Sequence, residues 1–228
     1  MIFHLACDYD ETLASGGQVQ PPARDALARL RSFGGKTILV TGRELEDLIT
    51  VFPDIWLFDL LVVENGAVLH SPGDGRTRAL AGPPMPRFLD KLRHRGVQPL
   101  ATGRAIVATK QRHYAAVHQT IAEMDLPLDI VLNRDSLMVL PQGIDKSSGL
   151  AVALEVLQIS PQNVVGVGDA ENDAPFLKLC GCSVAVANAL PAIHEIVDVV
   201  TDQPSTAGVM EVIDKIMAGE LCMGGTVR

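Results

Sequence analysis

Three short apolar runs end abruptly on oxygen-bearing residues, and this pattern constrains the fold more than any other feature of the chain. Ile2–Cys7 stops at Asp8-Tyr9-Asp10, Lys36–Val40 at Thr41-Gly42-Arg43, and Val164–Val167 at Gly168-Asp169. Each run is too short for a helix and lacks polar alternation, which suits strands buried on both faces of a parallel sheet. Between the first two lies a helix-periodic stretch opened by Pro21-Pro22, with Leu27, Leu30 and Phe33 on one face, and closed by Gly34-Gly35. Proline at the start and glycine past the end are helix punctuation. Strands alternating with helices predict an α/β fold with a doubly wound parallel sheet.

The rhythm is interrupted once. Glu44–Val51 reads as a short helix ended by Pro53, and Leu61–Glu64 and Ala67–His70 flank Asn65-Gly66. That dipeptide predicts a hairpin, because both residues accept positive φ. From Gly82-Pro83-Pro84 to Pro141 the pattern becomes α+β, with helices near Arg87–Arg95 and His113–Met124. Its expected strands are Val97–Ala101, Ala105–Thr109, Asp129–Asn133 and Leu137–Leu140. We therefore expect a core made of residues 1–81 and 142–228, with residues 82–141 inserted as a small α+β unit. After Lys146 the βα alternation resumes, and Ser205 is expected to cap the last helix.

Charge narrows the function. The formal net charge of −8 disfavours nucleic-acid and anionic-membrane partners. The inserted unit nevertheless holds eight Lys/Arg against five Asp/Glu, so it is basic above an acidic core. Cys7, Cys180, Cys182 and Cys222 match no zinc spacing and are expected to be reduced thiols of a cytoplasmic protein. The segment before Asp8 lacks the basic region of a signal peptide, and no apolar run approaches the ~18 residues of a membrane span.

In parallel α/β sheets ligands gather beyond the carboxyl ends of the strands. Asp8-Tyr9-Asp10-Glu11-Thr12, Thr41-Gly42-Arg43 and Gly168-Asp169-Ala170-Glu171-Asn172-Asp173 all fall at such ends, and Lys146 starts a helix. Crowded carboxylates are relieved by a hard cation with oxygen ligands, for which Mg²⁺ is the natural choice. A carboxylate can attack phosphorus to give an aspartyl-phosphate. A second carboxyl group can protonate the leaving alkoxide and then activate water. Thr41 and Lys146 can stabilise charge on the phosphoryl oxygens.

Four segments, Asp8-x-Asp10-x-Thr12, Thr41-Gly42-Arg43, Gly143-x-x-Lys146 and Gly168-Asp169-x-x-Asn172-Asp173, resemble the four motifs of the haloacid dehalogenase superfamily, in the superfamily's order. Together they span most of the chain. The Asn65-Gly66 hairpin and the insert resemble subclass IIB, whose α+β cap is shared by Cof-like and sucrose-phosphate-phosphatase-like hydrolases. The resemblance implies a Rossmann-like core under a cap formed by residues 82–141. It implies a Mg²⁺-dependent phosphatase acting on a sugar phosphate or a phosphorylated small acid. Asp8 is then the nucleophile and a metal ligand, and Asp10 is the acid/base and lends its carbonyl to the metal. Thr41 and Lys146 bind the phosphoryl group, Asp169 and Asp173 complete the metal site, and Gly42 and Asn172 finish the phosphate pocket. Arg43 either meets substrate or pairs with Glu46 or Asp47. Lys110, Arg112, Asn133 and Arg134 are candidate substrate contacts on the cap, with Lys110 and Arg134 carried forward.

Glu11 departs from the glycine common in the first motif, and Ala170 replaces a frequent glycine or serine. The alternatives are a phosphomutase of the same superfamily and a non-catalytic phosphate-responsive binding protein. The expected partner is a small phosphorylated metabolite, and the expected state is monomer or homodimer.

Overall fold

The computed structural model describes residues 3–221. β1 (His4–Cys7) leads to α1 (Pro21–Ser32), β2 (Thr37–Val40), α2 (Leu45–Val51), β3 (Leu60–Val63), β4 (Val68–Ser71) and β5 (Arg76–Ala79). The chain then enters α3 (Pro86–His94), β6 (Ala101–Thr102), β7 (Val107–Lys110), α4 (Tyr114–Glu123), β8 (Leu128–Asn133) and β9 (Ser136–Pro141). It returns through α5 (Lys146–Leu157), β10 (Val164–Gly168), α6 (Ala174–Leu179) and β11 (Cys182–Ala185). α7 (Pro191–His194), β12 (Val199–Val200) and α8 (Ser205–Ala218) complete the described chain.

The eight-stranded sheet has the order β12-β11-β10-β1-β2-β3-β4-β5. It is parallel from β12 to β3, and β4 and β5 are antiparallel additions. β1, β2, β3 and β10 carry almost only Leu, Val, Ile, Ala and Gly, and nearly every residue in them is buried. Helices flank the sheet in packed pairs, α1 with α8 and α5 with α6. The chain leaves β1 towards β2 and β3 but returns at β10 on the other side and moves to β11 and β12. The order reverses at β1, and a crevice opens beyond the carboxyl ends of strands where that happens.

The inserted elements form a second, antiparallel sheet of order β6-β7-β9-β8. One face packs on α3 and α4 through Phe88, Leu92, Val107, Val117, Leu137 and Val139. The other face supplies Met138 and Leu140 to a separate apolar cluster with Ala67, Ala105 and Ile106, which joins the two sheets.

Some expectations are corrected. Val97–Ala101 is not a strand; only Ala101 pairs, in β6, since Pro99 offers no amide to a ladder. β5 was not foreseen, because Arg76-Thr77-Arg78-Ala79 is an exposed edge with no apolar signal. Phe33 is 48% exposed and lies just past α1. Ser205 is the first residue of α8 and makes no cap; its amide donates to Asn188 Oδ1 at 2.6 Å. Cys182 is disulfide-bonded, whereas Cys7 and Cys180 are free. Spacing tests only local metal or redox pairs, not a bond made by the fold; Cys222 lies outside the described residues.

Candidate active site

Register assembles the site. Cys7 lies opposite Leu39 on one side and Val167 on the other. The next residues, Asp8, Thr41 and Asp169, therefore emerge within a residue or two of one another along the carboxyl edge. The Asp8 amide continues the ladder to the Val167 carbonyl at 2.9 Å.

Lys146 arrives from a helix start. Asp145 caps α5: its carboxylate accepts from Ser148 N at 2.8 Å, while its own amide donates to Ser148 Oγ at 3.0 Å. This reciprocal box fixes the first turn. Lys146 is the first helical residue, and helical side chains lean towards the N-terminus. Its ammonium reaches the crevice and donates to Asp8 Oδ1 at 2.5 Å and Asp173 Oδ1 at 2.6 Å. Asp173 folds back, so that its Oδ2 also accepts from the amides of Asp169 at 2.8 Å and Ala170 at 2.9 Å. Gly168 makes this approach feasible, since a Cβ there would lie 2.7 Å from Asp173.

Asp169 accepts from Thr12 Oγ at 2.8 Å and pairs with Arg134, which projects from the β8–β9 turn of the inserted sheet. Thr12, whose motif position alone assigns it no contact, is fully buried against this carboxylate. Asp8, Asp169 and Asp173 are all buried, with ligand oxygens within 4.8 Å of one another.

Burial, with the Asp173 charge second, raises the Asp8 carboxyl well above its ordinary range despite Lys146. Burial raises Asp169 too, against the Arg134 hydrogen bond. Burial alone would lower the Lys146 ammonium, but Asp173 and Asp8 outweigh it and the net shift is upward. The buried Lys146 ammonium therefore holds its proton firmly, and together with Arg134 it sets two positive charges against three carboxylates. Hard oxygen donors with excess negative charge fit a divalent cation.

Asp10 does not join this cluster. Its side chain is 42% exposed and bonded in both oxygens to Arg43, at 2.8 Å from Nε and 2.7 Å from Nη2. Arg43 also pairs with Asp47 at 2.5 Å and lies over the Tyr9 ring. Of its expected partners, Asp47 is met and Glu46 is not; Glu46 pairs with Arg104 at 2.9 Å. Thr41 is buried beside the cluster and accepts from the Arg43 amide at 3.2 Å. Gly42 lies under Met138: a Cβ there would stand 3.3 Å from its sulfur. Asn172 donates to Asn65 Oδ1 at 3.0 Å. Lys110 pairs with Asp135 at 3.5 Å, and no contact ties it to the carboxylates. Met138, Asn65 and Glu64 were not singled out as site residues, because their placement depends on how the two sheets dock.

A family model of haloacid dehalogenase-like hydrolases matches residues 5–81 and 130–213. The chain belongs to this family. It is 31% identical over 231 residues to phosphoglycolate phosphatase 2 of Saccharolobus solfataricus, covering 94% of this chain and 92% of the relative. A crystal structure from Thermoplasma acidophilum superposes with a TM-score of 0.82 at 18% identity, covering 95% of this chain and 98% of that one. A subclass IIB sugar phosphatase superposes with a TM-score of 0.76 at 18% identity, covering 93% and 98%. Family, fold and the buried carboxylate cluster together define a phosphatase of a small phosphorylated metabolite. Among the described residues no helix is long and apolar enough to cross a membrane.

Proposed function

We propose that this protein is a Mg²⁺-dependent phosphatase whose substrate is a short phosphorylated hydroxy acid of the phosphoglycolate kind, and that Asp8 is its nucleophile. The observation that carries the chemistry is the Asp8–Lys146–Asp173 knot beside Asp169 at the point where strand order reverses. Support for the substrate comes from the name of the full-length relative and from the roof above Gly42. Met138 lies close over Gly42, where a Cβ would stand 3.3 Å from its sulfur, and a roof this near the loop favours a small leaving group. On the same side of the second sheet, cross-strand pairing aligns Lys110, Ser136 and Asn133, with Arg134 next in the turn. These cations and hydrogen-bonding groups suit a carboxylate.

In this reading residues 82–141 form a cap over a core made of residues 1–81 and 142–228. A carboxylate oxygen of Asp8 attacks phosphorus, and the bond to the leaving oxygen breaks. Asp10 supplies the proton to that oxygen, which requires it to turn from Arg43. It then takes a proton from the water that attacks phosphorus and releases Asp8. Lys146, Thr41, Asn172 and the Gly42 backbone hold the phosphoryl oxygens. Mg²⁺, held by Asp8, Asp169, Asp173 and the Asp10 carbonyl, would neutralise charge between the carboxylates and the phosphoryl group. All these groups come from one chain, so a monomer or homodimer suffices. A cytoplasmic location accords with a small phosphorylated metabolite as substrate.

The test is phosphate release from a panel of phosphorylated acids and sugars, with Mg²⁺ and with EDTA. Metal-dependent release with 2-phosphoglycolate among the best substrates is expected. A clear preference for hexose phosphates would overturn the substrate assignment, and release indifferent to EDTA would overturn the metal.

A further inference from the structure

Glu64 is a buried acid that the chemistry above does not use. It follows β3 directly and is 1% exposed. Its surroundings are the apolar contact between the two sheets, where Ala67, Ala105, Ile106, Met138 and Leu140 meet. A carboxylate in such a place must be fully hydrogen-bonded. It accepts from three consecutive backbone amides of the inserted unit: Arg104 at 2.9 Å, Ala105 at 2.8 Å and Ile106 at 3.1 Å. The 103–106 turn, closed by Gly103 N to Ile106 O at 3.0 Å, points its amides inward as an anion nest.

Two further features fit the turn to this carboxylate. Gly103 has no side chain, and a Cβ there would lie 2.6 Å from Glu64 Oε2. Glu64 and Asn65 both take left-handed backbone conformations, with φ of 50° and 53°. Such angles are unfavourable for residues with a Cβ and persist only where surrounding contacts enforce them. Those contacts run in both directions. The Glu64 amide donates to the Arg43 carbonyl at 2.9 Å, and the Asn65 amide donates to the Thr41 carbonyl at 2.9 Å. The loop that holds Thr41 is thus tied by one residue to the turn that starts β7. β7 pairs with β9, whose Met138 covers Gly42.

We propose that Glu64 is a positioning residue that sets the height of the inserted sheet above the Thr41–Arg43 loop, and thereby the affinity for substrate. It touches no reacting atom. This rests on the reading of residues 82–141 as a substrate-covering cap.

The variants Glu64→Gln and Gly103→Ala test it, each checked for folding by circular dichroism. Glu64→Gln retains the shape but turns an amide NH₂ towards N–H donors. Gly103→Ala fills the space the carboxylate occupies. Hydrogen exchange of residues 103–108 should accelerate in both, while β1, β2 and β10 keep wild-type protection. KM for 2-phosphoglycolate should rise about tenfold or more, as expected for losing hydrogen bonds to a charged group, with kcat held within about twofold. Wild-type exchange at 103–108 in folded Glu64→Gln would overturn the proposal. So would a loss of protection spread through the core with kcat falling alongside. If the wild type proves inactive on 2-phosphoglycolate, the substrate reading fails, and the exchange pattern still decides whether Glu64 holds the cap.

Discussion

The floor and the roof of the site are built differently. On the floor, Asp8, Lys146, Asp169 and Asp173 are buried, and Lys146, Asp169 and Asp173 each have two or more hydrogen-bond partners. On the roof, Lys110 and Arg134 have side chains 41% and 42% exposed, and each forms a single ion pair. Low dielectric makes the floor's charges strongly interdependent, whereas the exposed Lys110–Asp135 pair is screened and replaceable. The division accords with fixed phosphoryl chemistry below and adjustable recognition above.

Removing Lys146 should break the floor. Lys146→Ala leaves Asp8 and Asp173 buried without their common cation, and breaking a buried pair in this way costs about 3–5 kcal/mol. Chemical denaturation of the metal-free variant should show that loss, with Mg²⁺ recovering part of it by binding the folded state. A variant as stable as the wild type without metal would mean that the carboxylates do not depend on Lys146.

The roof should respond more mildly and in a different parameter. Arg134→Ala is expected to raise KM for a phosphorylated acid by about tenfold, the scale of one lost charge-assisted hydrogen bond. Kinetics with 2-phosphoglycolate would check this. An unchanged KM would remove Arg134 from recognition.

The smallest effect lies farther out, where the inserted unit depends on surface charge. Hydrogen bonds from Arg95 and then Lys91 hold the Glu123 carboxyl down at about 2. A depressed acid stabilises the fold above its unfolded value near 4.5, and that contribution fades as pH falls towards about 2. Glu123→Gln should therefore flatten the acid limb of the stability–pH curve in that window and leave it unchanged near neutrality apart from a constant offset. An identical acid limb in both proteins would show that the pair carries no linkage.

What the sequence discloses follows the same division. Asp8, Thr41 and Asp169 each end an apolar run, so a local pattern places them, and parallel pairing does the rest. The partners of Arg43 are only half legible: Asp47 lies one helical turn away, but Asp10 reaches it across strands. Asp10 itself illustrates the limit, since its motif position does not reveal that Arg43 draws the side chain out of the carboxylate cluster. Glu11 shows a departure explained by backbone geometry. It takes a φ of 57°, which favours glycine, and its carbonyl accepts from Asn188 at 2.9 Å. The roof was least legible. Arg134 meeting Asp169, Met138 over Gly42 and Glu64 in the 103–106 turn all arise from docking two sheets, and no periodicity encodes that docking.

The central claim is that Asp8 receives the phosphoryl group. The most direct measurement is to incubate the Asp10→Asn variant with p-nitrophenyl phosphate, whose leaving group needs no proton, and Mg²⁺, quench in acid, and locate the phosphoryl label by peptide mass mapping. Without its general base the second step should stall, leaving the label on the peptide that contains Asp8. Asp8→Asn should carry none. A label on another residue, or turnover by Asp8→Asn at the wild-type rate, would contradict the account.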